Sequence, residues 1–126
     1  MLKDTPAFSG FAVDDLDKAQ EFYAETLGLD VTREADMLLT LHLAGDRTTM
    51  IYLKPDFEPA TYTILNFAVR DIDEAVGELA GRGVSFERYD GFDQDEKGIA
   101  RGPEGPPIAW FEDPAGNILA VLEDQR

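Results

Sequence analysis

The segment Phe11-Ala12-Val13-Asp14-Asp15-Leu16-Asp17-Lys18-Ala19 is written twice in this chain. It returns as Phe67-Ala68-Val69-Arg70-Asp71-Ile72-Asp73-Glu74-Ala75, with Phe, Ala, Val, two Asp and the final Ala in the same places and Ile72 answering Leu16. In each copy an apolar alternating run stops, an Asp follows, and helical spacing begins. That grammar reads as strand, N-cap and helix. A spaced repeat constrains the fold more than any local propensity, because each copy must be one supersecondary unit. The chain is therefore expected to be a single domain, residues 1–126, built from module one at about 7–55 and module two at about 62–124.

The length suits one domain with a core of its own, and 44% hydrophobic residues fit a globular class rather than a disordered one. There is no Cys, which removes disulfides, thiolate metal sites and a thiol nucleophile. No apolar stretch approaches a membrane span, and residues 1–6 lack the apolar core of a signal peptide. A cytoplasmic protein without a membrane partner is the expectation. Net charge is −15, from 26 acidic against 11 basic residues. Such a balance argues against a nucleic-acid partner, whose phosphates need Lys and Arg clusters. It is the charge of a highly solvated acidic surface, and it can also steer a cationic ligand.

Taken in order, residues 7–13 alternate as a strand, Asp15 caps a helix running to about Thr26, and Gly28 closes it. Leu16, Ala19, Tyr23 and Leu27 form its buried stripe. Residues 30–34 make a short strand. Residues 37–44 make a third, apolar at odd positions but admitting Thr40 and His42 at even ones. Residues 49–53 are a fourth, stopped by Pro55. The second module repeats the plan. It has a strand at 62–69, a helix from Ile72 to about Gly81–Gly83 carrying Ile72, Ala75, Val76 and Leu79, and a strand at 84–89. A closing hairpin of 108–112 and 118–122 turns at Asp113-Pro114-Ala115-Gly116-Asn117. Gly77 inside the second helix costs about 1 kcal/mol against Ala. The whole is an α+β fold: two tandem βαβββ modules forming a curved, mostly antiparallel sheet around a central hollow, with the helices outside. Residues 90–107 carry no strand or helix pattern and are read as a loop, either a lid or binding segment or disordered.

Several side chains stand out against this frame. His42, the only histidine, is either a pocket acid or base or a strand histidine with a satisfied hydrogen bond. Its parity with Thr40 places both on the hollow-facing side. Asn66 sits in an otherwise apolar strand and needs a partner, whether ligand, water or backbone. Phe92, Trp110 and Phe111 can stack on a flat ligand. Adjacent strand residues face opposite ways, so at least one of Trp110 and Phe111 is core. Phe111 is the one expected in the hollow, with Trp110 as the other candidate. Asp93, Asp95, Gly98 and Glu104 fall at calcium-loop spacing, but Lys97 stands where an oxygen donor is needed and no helices flank the segment. A solvated acidic loop is the better account.

Val13-x-Asp15-Leu16-x-x-Ala19, Phe22-Tyr23, Leu27-Gly28-Leu29 and Phe111-Glu112-Asp113-Pro114-x-Gly116-Asn117-Ile118 together resemble the vicinal oxygen chelate superfamily of glyoxalases, bleomycin-resistance proteins and extradiol dioxygenases. The resemblance spans nearly the whole chain. It implies a homodimer and, in the family's enzymes, a divalent metal. The metal's His, Gln or Glu ligands come from near the start of the first strand and from the last strand of each module. Counting from the caps and turns, those positions here are Phe8, Ile64, about Ile51 and Ala120. All are apolar and none can donate to a hard or borderline cation. A slip of one residue on the fourth strand would bring up Met50 or Tyr52 instead.

The expectation is thus a metal-free small-molecule-binding protein without a cofactor. It would hold an apolar or aromatic, possibly cationic, ligand against Phe8, Thr40, His42, Ile51, Ile64, Asn66, Phe92, Trp110, Phe111 and Ala120. The alternative is a glyoxalase- or dioxygenase-like enzyme, a lyase or oxidoreductase, with a non-standard site. A metal-independent enzyme using His42 as its catalytic acid or base is a third reading.

Overall fold

Asp15 and Asp71 perform the same act in the two halves. Each is extended at its own φ and ψ, and each carboxylate accepts a backbone N–H three residues on, from Lys18 at 3.0 Å and from Glu74 at 3.1 Å. Such a bond satisfies one of the four N–H groups that a helix start leaves without a partner. The computed structural model describes residues 1–103 and 105–124. Contacts divide the chain into two compact units, Met1–Glu58 and Pro59–Arg126. Among the described residues no helix is long and apolar enough to cross a membrane.

The first unit runs β1 (Ser9–Val13), α1 (Leu16–Glu21), a π-helical turn (Phe22–Thr26), β2 (Asp30–Glu34), β3 (Leu38–Leu43) and β4 (Arg47–Leu53). The π turn changes the end of the expected helix. Leu27 N–H reaches back five residues to the Phe22 carbonyl at 2.9 Å, and Gly28 then takes the left-handed conformation at φ 73°. The four strands are ordered β1-β4-β3-β2, with β1 and β4 parallel and the other neighbours antiparallel. Register puts Phe11, Ile51 and Leu39 in one cross-strand row, on the face that α1 covers. Phe11 meets the fully buried Tyr23 ring at 5.9 Å. Arg33 extends the same face and bonds Asp17 at 2.8 Å and Gln20 at 2.9 Å, tying β2 to α1.

The second unit runs β5 (Thr63–Val69), α2 (Ile72–Gly81), β6 (Ile108–Glu112) and β7 (Ile118–Glu123), in the order β5-β7-β6. Again the first strand is parallel to its neighbour and the hairpin is antiparallel. Helix α2 packs on β7, and the Ile72 N–H donates to Glu123 Oε2 at 3.1 Å. The hairpin turn is held from inside by buried Asp113. Its Oδ1 accepts from Ala115 N at 3.0 Å and Asn117 N at 2.9 Å, while Asn117 Nδ2 donates to its Oδ2 at 3.1 Å.

The repeat is imperfect at one place. The strand expected at 84–89 is reduced to a single bridge between Phe86 and Phe111. The backbone groups that a ladder would use are taken by a side chain. Gln94 Oε1 accepts from Tyr89 N at 2.9 Å, and its Nε2 donates to the carbonyls of Glu87 at 2.9 Å and Gly98 at 2.7 Å. One amide thereby satisfies three main-chain groups, so pairing with β6 stops after Glu87 N meets the Trp110 carbonyl.

The segment 93–104, expected as a solvated acidic loop, is in part built into the fold. Gly98, Ile99 and Ala100 are buried, and Ala100 exchanges both backbone hydrogen bonds with Ile108. Asp95 accepts from Lys97 N, Ile99 N and Arg101 Nε, while Asp73 on α2 accepts from Lys97 Nζ at 3.3 Å and Arg101 Nη2 at 2.7 Å. Burial would raise the Asp95 carboxyl, but the N–H donors of Ile99 and Lys97, with Arg101, outweigh it and hold the group below its ordinary value. Glu104, the last member of the calcium-like spacing, lies outside the described residues. Asp95 is already satisfied by protein donors.

Candidate functional site

Strand parity and register sort the candidates on paired strands onto one of two faces in each unit. In the second sheet, Asn66, Ala120 and Trp110 form one cross-strand row, with Ala68, Leu122 and Ile108 in the next. This is the face turned away from α2. The opposite face carries Leu65, Leu119 and Phe111, with Phe67, Val121 and Ala109 beside them.

Phe111 therefore does not share the face of Asn66 and Ala120. It is fully buried on the α2 side and meets Phe86 edge-on at 5.8 Å. Trp110 takes the position expected of it. The reversal comes from the hairpin register, which pairs Trp110, not Phe111, with Ala120.

Around Trp110 this face is aromatic and apolar, and it is buried rather than open. Ala100, Trp110 and Ala120 form a buried cluster, packed by Tyr89, Ile108 and Ile118. The Tyr89 ring stands edge-on to the indole at 5.3 Å, and Phe92 lies against it at 4.9 Å. Phe92 comes from the loop and is 54% exposed. Asn66 is exposed, so its amide is the polar end of a row whose other end is the indole. Two strand spacings separate the ends, about 10 Å between Cα atoms. Ala120 between them is fully buried. Ile64 falls in a β-bulge between Thr63 and Leu65 and is half-buried, outside the paired rows.

In the first sheet, Thr40 lies in the row Gly10, Met50, Thr40 and Thr32, with Thr48, His42 and Asp30 next to it. This face lies opposite Phe11, Ile51 and Leu39. Ile51 is fully buried on the α1 side and is no part of the Thr40 face. On β4, Met50 and Tyr52 have the parity of Thr40. A Cβ on Gly10 would sit 3.1 Å from the Met50 carbonyl oxygen, close enough that the strand would have to give by a few tenths of an ångström. Phe8 precedes β1 with the parity of Gly10 and is 68% exposed. His42 is exposed, and its Nε2 lies 2.7 Å from Thr32 Oγ1. That is the satisfied-histidine arrangement, with the ring held along the sheet by a neighbour on β2.

A groove of about 410 Å³ also runs along α2, lined by Val76, Gly77, Ala80, Phe86, Arg88 and Lys97 among others. Its two cations are engaged within the protein, Arg88 on the carbonyls of Asp95 and Glu96 and Lys97 on Asp73.

The matched family model covers residues 7–121 and is described as Glyoxalase/Bleomycin resistance protein/Dioxygenase superfamily. The chain belongs to this superfamily. Solved structures agree along the whole length. A superfamily member from Sphaerobacter thermophilus DSM 20745 is 28% identical at a TM-score of 0.74, covering 98% of this chain and 100% of its own. TnmS3, an antibiotic binding protein from Streptomyces sp. CB03234, is 22% identical at 0.73, with 99% of both chains covered. A lactoylglutathione lyase from Agrobacterium tumefaciens is 20% identical at 0.69, covering 96% of this chain and 95% of its own. The last two show the shared fold alone. No curated protein matches the chain significantly.

Enzymes of this superfamily imply a divalent metal, and the residues present do not fit one. The four positions expected to correspond hold Phe8, Ile64, Ile51 and Ala120, and the Met50 side chain beside Ile51 offers no oxygen or nitrogen donor either. A borderline or hard cation needs imidazole, carboxylate or carbonyl donors. Among the described residues no group of three His, Cys, Asp or Glu is placed to hold an ion. Residue parity missed Tyr89, because it lies in a segment that is not a strand and so has no alternation to read.

Proposed function

We propose that this protein binds a flat, apolar or aromatic molecule, neutral or cationic, on the face of its second sheet turned away from α2, without an ion to activate it. The row Asn66–Ala120–Trp110 carries the reading. It joins an exposed amide that can fix orientation to a buried Ala120 and an indole that the exposed Phe92 ring partly covers, with Tyr89 packed at its edge. Few polar groups on an apolar lining is the usual make-up of a small-molecule site. Net charge of −15 supports a neutral or cationic molecule over an anion. The antibiotic-binding relative, which shares the fold, is in keeping with a binding role. Calorimetric titration of the protein with a panel of neutral and cationic aromatic compounds tests it. Saturable binding that Trp110→Ala weakens at least tenfold is expected, and a panel without a single binder contradicts the proposal.

A further inference from the structure

One polar atom on this face has nothing to bond. Tyr89 Oη is buried and has no hydrogen-bond partner among the described residues. Its ring belongs to the cluster around Trp110 and Ala120. Its backbone is fixed as well, the N–H on Gln94 Oε1 and the carbonyl accepting from Phe92 N at 3.3 Å. Buried donors left without an acceptor are rare in folded proteins, and each one calls for an explanation.

We infer that Tyr89 Oη is the specificity-determining donor of this site, and that the molecule bound there presents a carbonyl or hydroxyl oxygen beside its flat apolar part. The inference rests on the proposed binding face. Phe92 is the one ring of the aromatic trio that is more than half exposed, so it is the ring a ligand displaces to lie on Trp110 and reach Oη. Burial, then Glu87 and Glu112, hold the phenol above its ordinary range, so the hydroxyl keeps its proton at neutral pH and acts as a donor. The same two carboxylates disfavour a negatively charged acceptor. A neutral ketone, quinone or phenol oxygen suits the position.

Equilibrium dialysis with two probes of matched shape, 2-acetylnaphthalene and 2-ethylnaphthalene, tests this on the wild-type chain and on Tyr89→Phe. Wild type should retain the ketone about tenfold more tightly, although the hydrocarbon is the more apolar, and Tyr89→Phe should erase the difference by weakening the ketone alone. Equal retention of both probes by wild type, or a preference that survives in Tyr89→Phe, overturns the inference and leaves the binding face standing. If wild type retains neither probe, the inference is overturned, and the compound panel decides the binding face. Thermal unfolding without probe gives a second readout. A hydroxyl with no partner predicts that Tyr89→Phe is at least as stable as wild type, and a clear loss of stability contradicts it.

Discussion

Glu112 shows how one side chain is set by its surroundings. Partial burial, then the charges of Glu87 and Asp113, push its carboxyl above the ordinary value. A carboxyl raised on folding contributes stability that is present below its unfolded value, about 4.3, and is lost as pH rises through the folded one. At neutral pH the ionised group is therefore a small liability. Glu112→Gln should raise the melting temperature at pH 7, by a gain equivalent to about 0.5 kcal/mol or less at so exposed a position, and the gain should vanish below about pH 4. Melting curves across that range check both the sign and the window. Residue identity alone gave the polar candidates Asn66 and His42 and the aromatic Trp110. It could not say that His42 is engaged by Thr32, because that bond depends on which strand lies beside β3.

At the scale of elements, the repeated Asp and the glycines mark their boundaries faithfully. Both caps form as their spacing implies, and Gly28 ends its helix. Parity within one strand was also legible. The register between strands was not, since a slip of one residue exchanges the two faces. Register puts Ile51 and Phe111 on the helix side and Met50, Tyr52 and Trp110 on the other. The strand at 84–89 was lost for a different reason: Gln94, distant in pattern from any strand, takes its backbone groups. Gln94→Ala leaves three of those groups without their partner and should cost about 1–3 kcal/mol, with faster amide exchange at Tyr89. Unchanged exchange at Tyr89 would show that the side chain is not what holds the segment. Gly77 offers the opposite change. Nothing lies within 4 Å of a Cβ placed there in α2, so Gly77→Ala should stabilise by about 0.5–1 kcal/mol in denaturant unfolding.

For the whole molecule, the doubled module and the α+β class were carried by the sequence repeat. The ligand was not, because one scaffold hosts many chemistries and the site alone decides between them. The charge of −15 belongs to this scale too. Self-repulsion of so acidic a chain should be relieved as salt shortens the Debye length from about 30 Å at 0.01 M to about 3 Å at 1 M. The melting temperature should rise over that range, and a fall would mean that ion pairs such as Asp73–Arg101 outweigh the net repulsion.

Which face binds is the question that decides the account. Two-dimensional NMR of the nitrogen-labelled protein, titrated with 2-acetylnaphthalene, reads it from two isolated signals, the Asn66 side-chain amide and the indole N–H of Trp110, the only tryptophan. The account predicts that both shift, together with the backbone amides of Tyr89 and Phe92. Shifts confined to Phe111, Leu119 and Val76 on the α2 side, or none at all, would contradict it.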